Sequence, residues 1–197
     1  IRFKCVSAKQ TPAAVDELVA EGATAASTPA VVAAQVDVVF TNLPDSPDVE
    51  KVVLGEKGII EGAHHGLIYV DNSTIKPASA RMLAEKLSAK GTLALDAPVS
   101  GGDIGARNGT LTIMVGGDAS ALEKVMPVFQ AMGKTVTHVG EAGAGQVAKA
   151  ANQIMVAAQM VAMGELLVFS KKAGVDPQKV VDAIKAGAAQ CWALDIK

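Results

Sequence analysis

Lys149, Asn152 and Gln153 fall at i, i+3 and i+4 in a stretch of helical pattern, which sets one ammonium and two amides on a single face. Between Val147 and Gly164, Lys149 is the only formally charged residue. An ammonium among apolar neighbours is costly unless it is paired or used. Its use would be as a proton donor or a fixed positive charge. The plainer alternative is a lysine that snorkels from the helix's second turn to water. The helix alone does not separate the two.

A second candidate is the loop Asp96-Ala97-Pro98-Val99-Ser100-Gly101-Gly102. Two glycines let backbone N–H groups approach a ligand closely, and Ser100 adds a hydroxyl, which suits a carboxylate- or hydroxyl-bearing substrate. A loop that needs glycine only for positive φ would look the same. Two further loops, Thr41–Pro44 and Asp71–Thr74, also follow apolar strands. Gly143-Ala144-Gly145-Gln146-Val147-Ala148 matches a dinucleotide fingerprint on paper, but no strand follows its helix, so the βαβ context is missing. Gly133-Lys134-Thr135 ends like a phosphate loop, yet Val128 stands where the first glycine belongs. His64-His65 has no partner at ligand spacing, and no metal is inferred.

The elements that must position these groups alternate. Strands are expected at Ile1–Ser7, Val36–Phe40, Gly66–Asp71, Thr92–Asp96, Leu111–Gly116 and Lys134–Val139. Helices are expected from Thr11-Pro12 to Ala20, Thr28-Pro29 to Gln35, Ser46 to Leu54, Pro77 to Ala89 and Ser120 to Met132. Short apolar strands between amphipathic helices argue for a largely parallel sheet covered on both faces, whose ligands bind at the carboxyl ends of the strands. From Gly143 the pattern is helical only: a long helix to Ala173, then another from Asp176-Pro177 to about Gly187. The boundary is expected near residue 140, giving units 1–140 and 141–197.

At 197 residues, half of them apolar and with a net charge of −2, the chain reads as a globular protein without a basic tract for nucleic acid. Two distant cysteines, Cys5 and Cys191, fit a reducing compartment, and no signal peptide is seen. Lys149, Asn152, Gln153, Gln159 and Glu165 interrupt the long helix and disfavour a membrane span. Because apolar residues occupy nearly every face of that helix, it is expected to be packed on most sides. The chain opens without Met inside a strand and stops just after a helix, as an internal fragment would.

Asp96–Gly102, Gly109–Gly117 and Gly143–Gln153, with Leu43–Pro47 and Asp71–Thr74, together resemble the β-hydroxyacid dehydrogenase family over essentially the whole chain. The resemblance implies a Rossmann-type α/β domain, its first strand and glycine-rich turn cut off, then a long interdomain helix and a truncated all-α domain. It implies hydride exchange with NADP or NAD between a small β-hydroxyacid and its semialdehyde, as in 3-hydroxyisobutyrate dehydrogenase or tartronate semialdehyde reductase. Lys149 falls on the catalytic acid/base. Ser100, Gly101, Gly102, Asn152 and Gln153 fall on substrate-binding positions, and Leu43, Pro44 and Thr74 on the cofactor lining. Where an acid would favour NAD, the chain has Lys9, which tolerates a 2′-phosphate and leans the reading to NADP. The full-length protein is expected to be a homo-oligomer, dimer or tetramer, in the cytoplasm or an organelle matrix, and the fragment alone to be inactive. Gln153 points to the tartronate enzyme and Cys191-Trp192 to the hydroxyisobutyrate one, so the substrate stays open. The alternatives are a non-catalytic binding or oligomerisation module, and a sugar-phosphate enzyme, which the three arginines serve poorly.

Overall fold

A computed structural model describes residues 4–6 and 12–195, so Lys9 and Thr11 lie outside the described residues. The chain divides into two compact units, Ile1–Lys149 and Ala150–Lys197.

In the first unit, β1 (Lys4–Val6), α1 (Pro12–Ala20) and β2 (Thr24–Ala26) make a small two-stranded parallel sheet with its helix. α2 (Pro29–Ala33) starts where the Thr28-Pro29 pair predicts, the Thr28 hydroxyl accepting from Val31 N at 3.2 Å. β3 (Val38–Thr41), α3 (Ser46–Leu54), α4 (Ile59–Gly62), β4 (Ile68–Asp71), α5 (Pro77–Ser88) and β5 (Leu93–Asp96) follow. β3, β4 and β5 pair in parallel, with Thr41, Asp71 and Asp96 aligned across their carboxyl ends. Next come β6 (Val99–Ser100), α6 (Gly102–Arg107), β7 (Leu111–Gly117), α7 (Ala119–Met132) and β8 (Gly133–Gly140).

β7 runs antiparallel to β5 and β6 and parallel to β8, so the sheet is mostly parallel with two reversed strands, β7 and β8. β5 and β6 keep one register along β7, interrupted only at Ala97-Pro98. Pro98 has no N–H for the ladder but still accepts from Met114 N at 3.0 Å, so the path continues through the break and delivers Ser100. Alternation along the strands then sorts two cores. Tyr69 packs with Val49, Val53, Leu83 and Leu87 on one face. Ile68, Val70 and Ile113 pack with Val125 and Phe129 on the other. Each fully buried side chain of this kind contributes about 1.5–3 kcal/mol.

α8 (Ala144–Lys172) begins in the first unit and continues through the second, which adds α9 (Pro177–Ile184) and α10 (Trp192–Asp195). Asp176 caps α9 by accepting from Gln178 N. The expectation that α8 is packed on most sides is not met in this chain: Ile154, Met155, Val161, Val168 and Phe169 are exposed, Phe169 by 73%. Within the second unit, Gln159, Ala162, Met163 and Leu166 of α8 line a cavity with Ile184 of α9 and Leu194 of α10. Among the described residues α8 is also the one helix long and apolar enough to cross a membrane by length and composition.

Candidate functional site

The loops after β3, β4 and β5 are stitched edge to edge. Asn72 N donates to Thr41 O at 2.8 Å, Ala97 N to Asp71 O at 2.7 Å, and the Asn72 amide to Ala97 O at 2.6 Å. Leu43 N donates to Ser73 Oγ at 2.8 Å. Leu43 is thereby held half-buried beside the second loop, while Pro44 and Thr74 stand exposed at the carboxyl end of the sheet.

Beneath these loops lies a buried polar cluster. Thr41 Oγ1 donates to Asp71 Oδ1 at 2.9 Å and lies 2.8 Å from Tyr69 Oη, and Ser73 N also donates to Asp71 Oδ1. Asp71 Oδ2 is buried without a hydrogen-bond partner. Burial pushes the Asp71 carboxyl up; donors from Ser73 and Thr41 oppose this, and the charge of Asp96 on the adjacent strand adds to it. A carboxyl raised by folding costs stability once ionised. That cost is absent below the ordinary carboxylate pKa, grows as pH rises from there to the raised pKa, and is constant above it. Asp71→Asn keeps the Oδ1 acceptor and removes the charge. Its denaturation midpoint is therefore expected to exceed wild type at pH 8 and not at pH 4, and an equal offset at both values would rule this account out.

The first turn of α8 sits against the same strand ends. Gly143 N donates to Asp96 Oδ1 at 2.6 Å and Gln146 N to Asp96 Oδ2 at 2.9 Å. Burial raises the Asp96 carboxyl, and these amide donors work against it. The Gln146 side chain, 1% exposed, donates to Ser73 O at 2.8 Å and accepts from Ile75 N at 3.0 Å. One turn on, the Lys149 ammonium donates to Val99 O at 2.7 Å, beside Ser100. Lys149 is half-buried, and desolvation pulls its pKa below the usual lysine range.

The fold therefore brings Lys149 to the Val99–Gly102 turn and gathers Leu43, Pro44 and Thr74 at one sheet edge. Gly101 (φ +135°) and Gly102 (φ +62°) both hold positive φ, and at Gly101 the value is one that a Cβ strongly disfavours. Asn152 and Gln153 belong to the second unit, where the Asn152 amide donates to Gln153 Oε1 at 2.8 Å. Lys9 lies outside the described residues. Among those residues no group of three or more His, Cys, Asp or Glu is arranged to hold a metal ion. Asp96 and Gln146, which join the sheet to the start of α8, are not among the sequence candidates; Asp96 only opens the serine-glycine loop and Gln146 only follows Gly145.

Residues 2–140 match the family model of the NAD binding domain of 6-phosphogluconate dehydrogenase. Residues 143–197 match that of the NAD-binding region of NADP-dependent 3-hydroxyisobutyrate dehydrogenase. The chain is 44% identical to the 2-hydroxy-3-oxopropionate reductase of Escherichia coli, over 92% of this chain and 62% of that one. It is 41% identical to the NAD-dependent L-serine dehydrogenase of Pseudomonas aeruginosa, over 93% and 61%. The 3-hydroxyisobutyrate dehydrogenase of Mycobacterium tuberculosis, solved with L-serine, superposes with a TM-score of 0.89 at 34% identity, covering 98% of this chain and 64% of that one. The chain thus spans less than two thirds of the length of each of these relatives.

Proposed function

The chain belongs to the β-hydroxyacid dehydrogenase family, and on that premise we propose that it is the dinucleotide-binding and proton-transfer part of an enzyme interconverting a small β-hydroxyacid and its semialdehyde. The reading takes residues 1–140 as a Rossmann-type domain and 141–197 as the interdomain helix and the start of an all-α domain. The observation that carries it is the Lys149 ammonium, held 2.7 Å from Val99 O at the mouth of the serine-glycine turn.

A lysine has three N–H bonds, so one spent on Val99 leaves two for a substrate oxygen. In reduction Lys149 donates a proton to the oxygen as it becomes an alkoxide; in oxidation the free amine takes the hydroxyl proton. Ser100, Gly101 and Gly102 bind the substrate carboxylate and hydroxyl, and Asn152 and Gln153 orient it. Leu43, Pro44 and Thr74 offer the open, loop-lined sheet edge on which a nicotinamide dinucleotide would lie. That cofactor, when bound, supplies or accepts the hydride. Lys9 tilts the choice to NADP. The relatives' names pull both ways, one being NADP-dependent and another NAD-dependent. A module free of chemistry would have no reason to keep a desolvated ammonium at a glycine turn, which argues against the non-catalytic alternative.

The exposed stripe of α8 we read as covered by protein in a homo-oligomer, because Asn152, Gln153, Gln159 and Glu165 would be expensive in lipid. A cytoplasmic or organelle-matrix setting fits, three eukaryotic relatives being named mitochondrial. The deciding experiment assays the full-length protein with three- and four-carbon semialdehydes, each with NADH and with NADPH, and sizes the same preparation by sedimentation. Turnover of at least one semialdehyde by a dimer or tetramer is expected. No turnover across the panel counts against the enzyme, and a monomer against the oligomer.

A further inference from the structure

We infer that Asp96 is a positioning residue for Lys149: its carboxylate holds the first turn of α8 on the sheet and so sets where the ammonium meets the Val99–Gly102 turn. The inference rests on the proton-transfer reading of Lys149 and names what holds that group in place. The first N–H groups of a helix have no partner within it. Here two of them, from Gly143 and Gln146, go to the two separate oxygens of one carboxylate. A negative charge at that end also complements the helix dipole.

The contact between helix and sheet is backbone on backbone. A Cβ at Gly145 would lie 2.5 Å from Asp96 O and from Met114 O. One at Gly116 would lie 2.6 Å from Asp96 Oδ1 and 2.7 Å from Gly145 N. Neither position has room for a side chain, so the helix cannot ride higher or lower without breaking the clamp. Asp96 and Val99 stand three residues apart on the β5–β6 path, which keeps one register along β7. The same extended segment therefore grips α8 at Gly143 and Gln146 and receives Lys149 one turn further on. The Gln146 side chain ties that turn to the β4 loop as well.

Asp96→Asn offers one carbonyl oxygen but turns an amide N–H₂ toward a backbone N–H, so one of the two bonds is lost. Gly145→Ala lifts the same turn while keeping the carboxylate's charge, its Cβ crowding Asp96 O and Met114 O at 2.5 Å and Asp96 Oδ2 at 2.9 Å. Both are compared with wild type in the full chain, alone and combined with Lys149→Ala, by kcat, KM, cofactor Kd and amide hydrogen exchange. Each is expected to lower kcat about tenfold or more, since a 1 Å misplacement costs about 10²-fold, with KM and Kd within about threefold. That loss should vanish in the Lys149→Ala background, because a mislaid ammonium no longer matters once it is absent. In the unmodified chain the Gly143 and Gln146 amides should be protected, unlike ordinary first-turn amides. Wild-type kcat in Asp96→Asn, losses that multiply with Lys149→Ala, or free exchange at both amides would each overturn the inference. If Asp96→Asn does not fold, Gly145→Ala and the exchange measurement decide it. Lys149→Ala with unchanged turnover sinks the proton role instead, and leaves the exchange result standing.

Discussion

Lys149→Ala in the full-length protein is expected to lower kcat by about 10³-fold, within the range that removal of a positioned acid/base group produces. Folding and cofactor affinity should change little, because the side chain is half-buried and makes one hydrogen bond, to a carbonyl that water can replace. The pH profile carries the sharper signature. Desolvation lowers the lysine's pKa, which brings its titration nearer the working range. Reduction needs the ammonium, so its rate should fall as pH rises through that pKa. Oxidation needs the free amine, so its rate should rise over the same interval. Both limbs should disappear in the variant. Near-normal kcat, or limbs that survive the substitution, would remove Lys149 from the chemistry.

Much of the scaffold was legible because it is local. Thr28-Pro29 and Asp176-Pro177 announce helix starts through bonds that span two or three residues, and both caps form. The strand positions follow from short apolar runs, and Thr41, Asp71 and Asp96 each close one. Lys149 stood out because it is the lone charge between Val147 and Gly164 of an apolar helix. What stayed hidden acts at long range. The bonds from Asp96 to Gly143 and Gln146 cross 47 and 50 residues of chain, and that from Gln146 to Ser73 crosses 73. No periodicity encodes such pairings; they exist only once β4, β5 and β7 have brought their ends together. The two-residue β6 escaped for a related reason, since its strand character comes from β7 across an interruption at Ala97-Pro98. For α8, composition records how apolar the helix is and not what covers it. A residue such as Phe169 can therefore read as core and stand exposed in this chain.

Gly101→Ala should be the most damaging change in the serine-glycine turn, with kcat/KM reduced by about 10²-fold. At φ +135° and ψ −5° the backbone of Gly101 occupies a region that a Cβ makes unfavourable, at a cost of about 1–3 kcal/mol. The added carbon would also lie 3.1 Å from Leu111 Cδ2, on the strand that pairs with Ser100. The chain can relieve that strain only by rotating the peptide after Ser100, which carries the hydroxyl and the Gly101 and Gly102 N–H groups off their common target. Gly102 is the internal control. Its φ of +62° is one that other residues do adopt, and a Cβ there meets nothing within 4 Å. Gly102→Ala should therefore lose far less, while cofactor affinity stays near wild type in both variants. Equal losses at the two glycines would mean that the turn does not act through its backbone shape, and the substrate-binding role of Ser100, Gly101 and Gly102 would have to be abandoned.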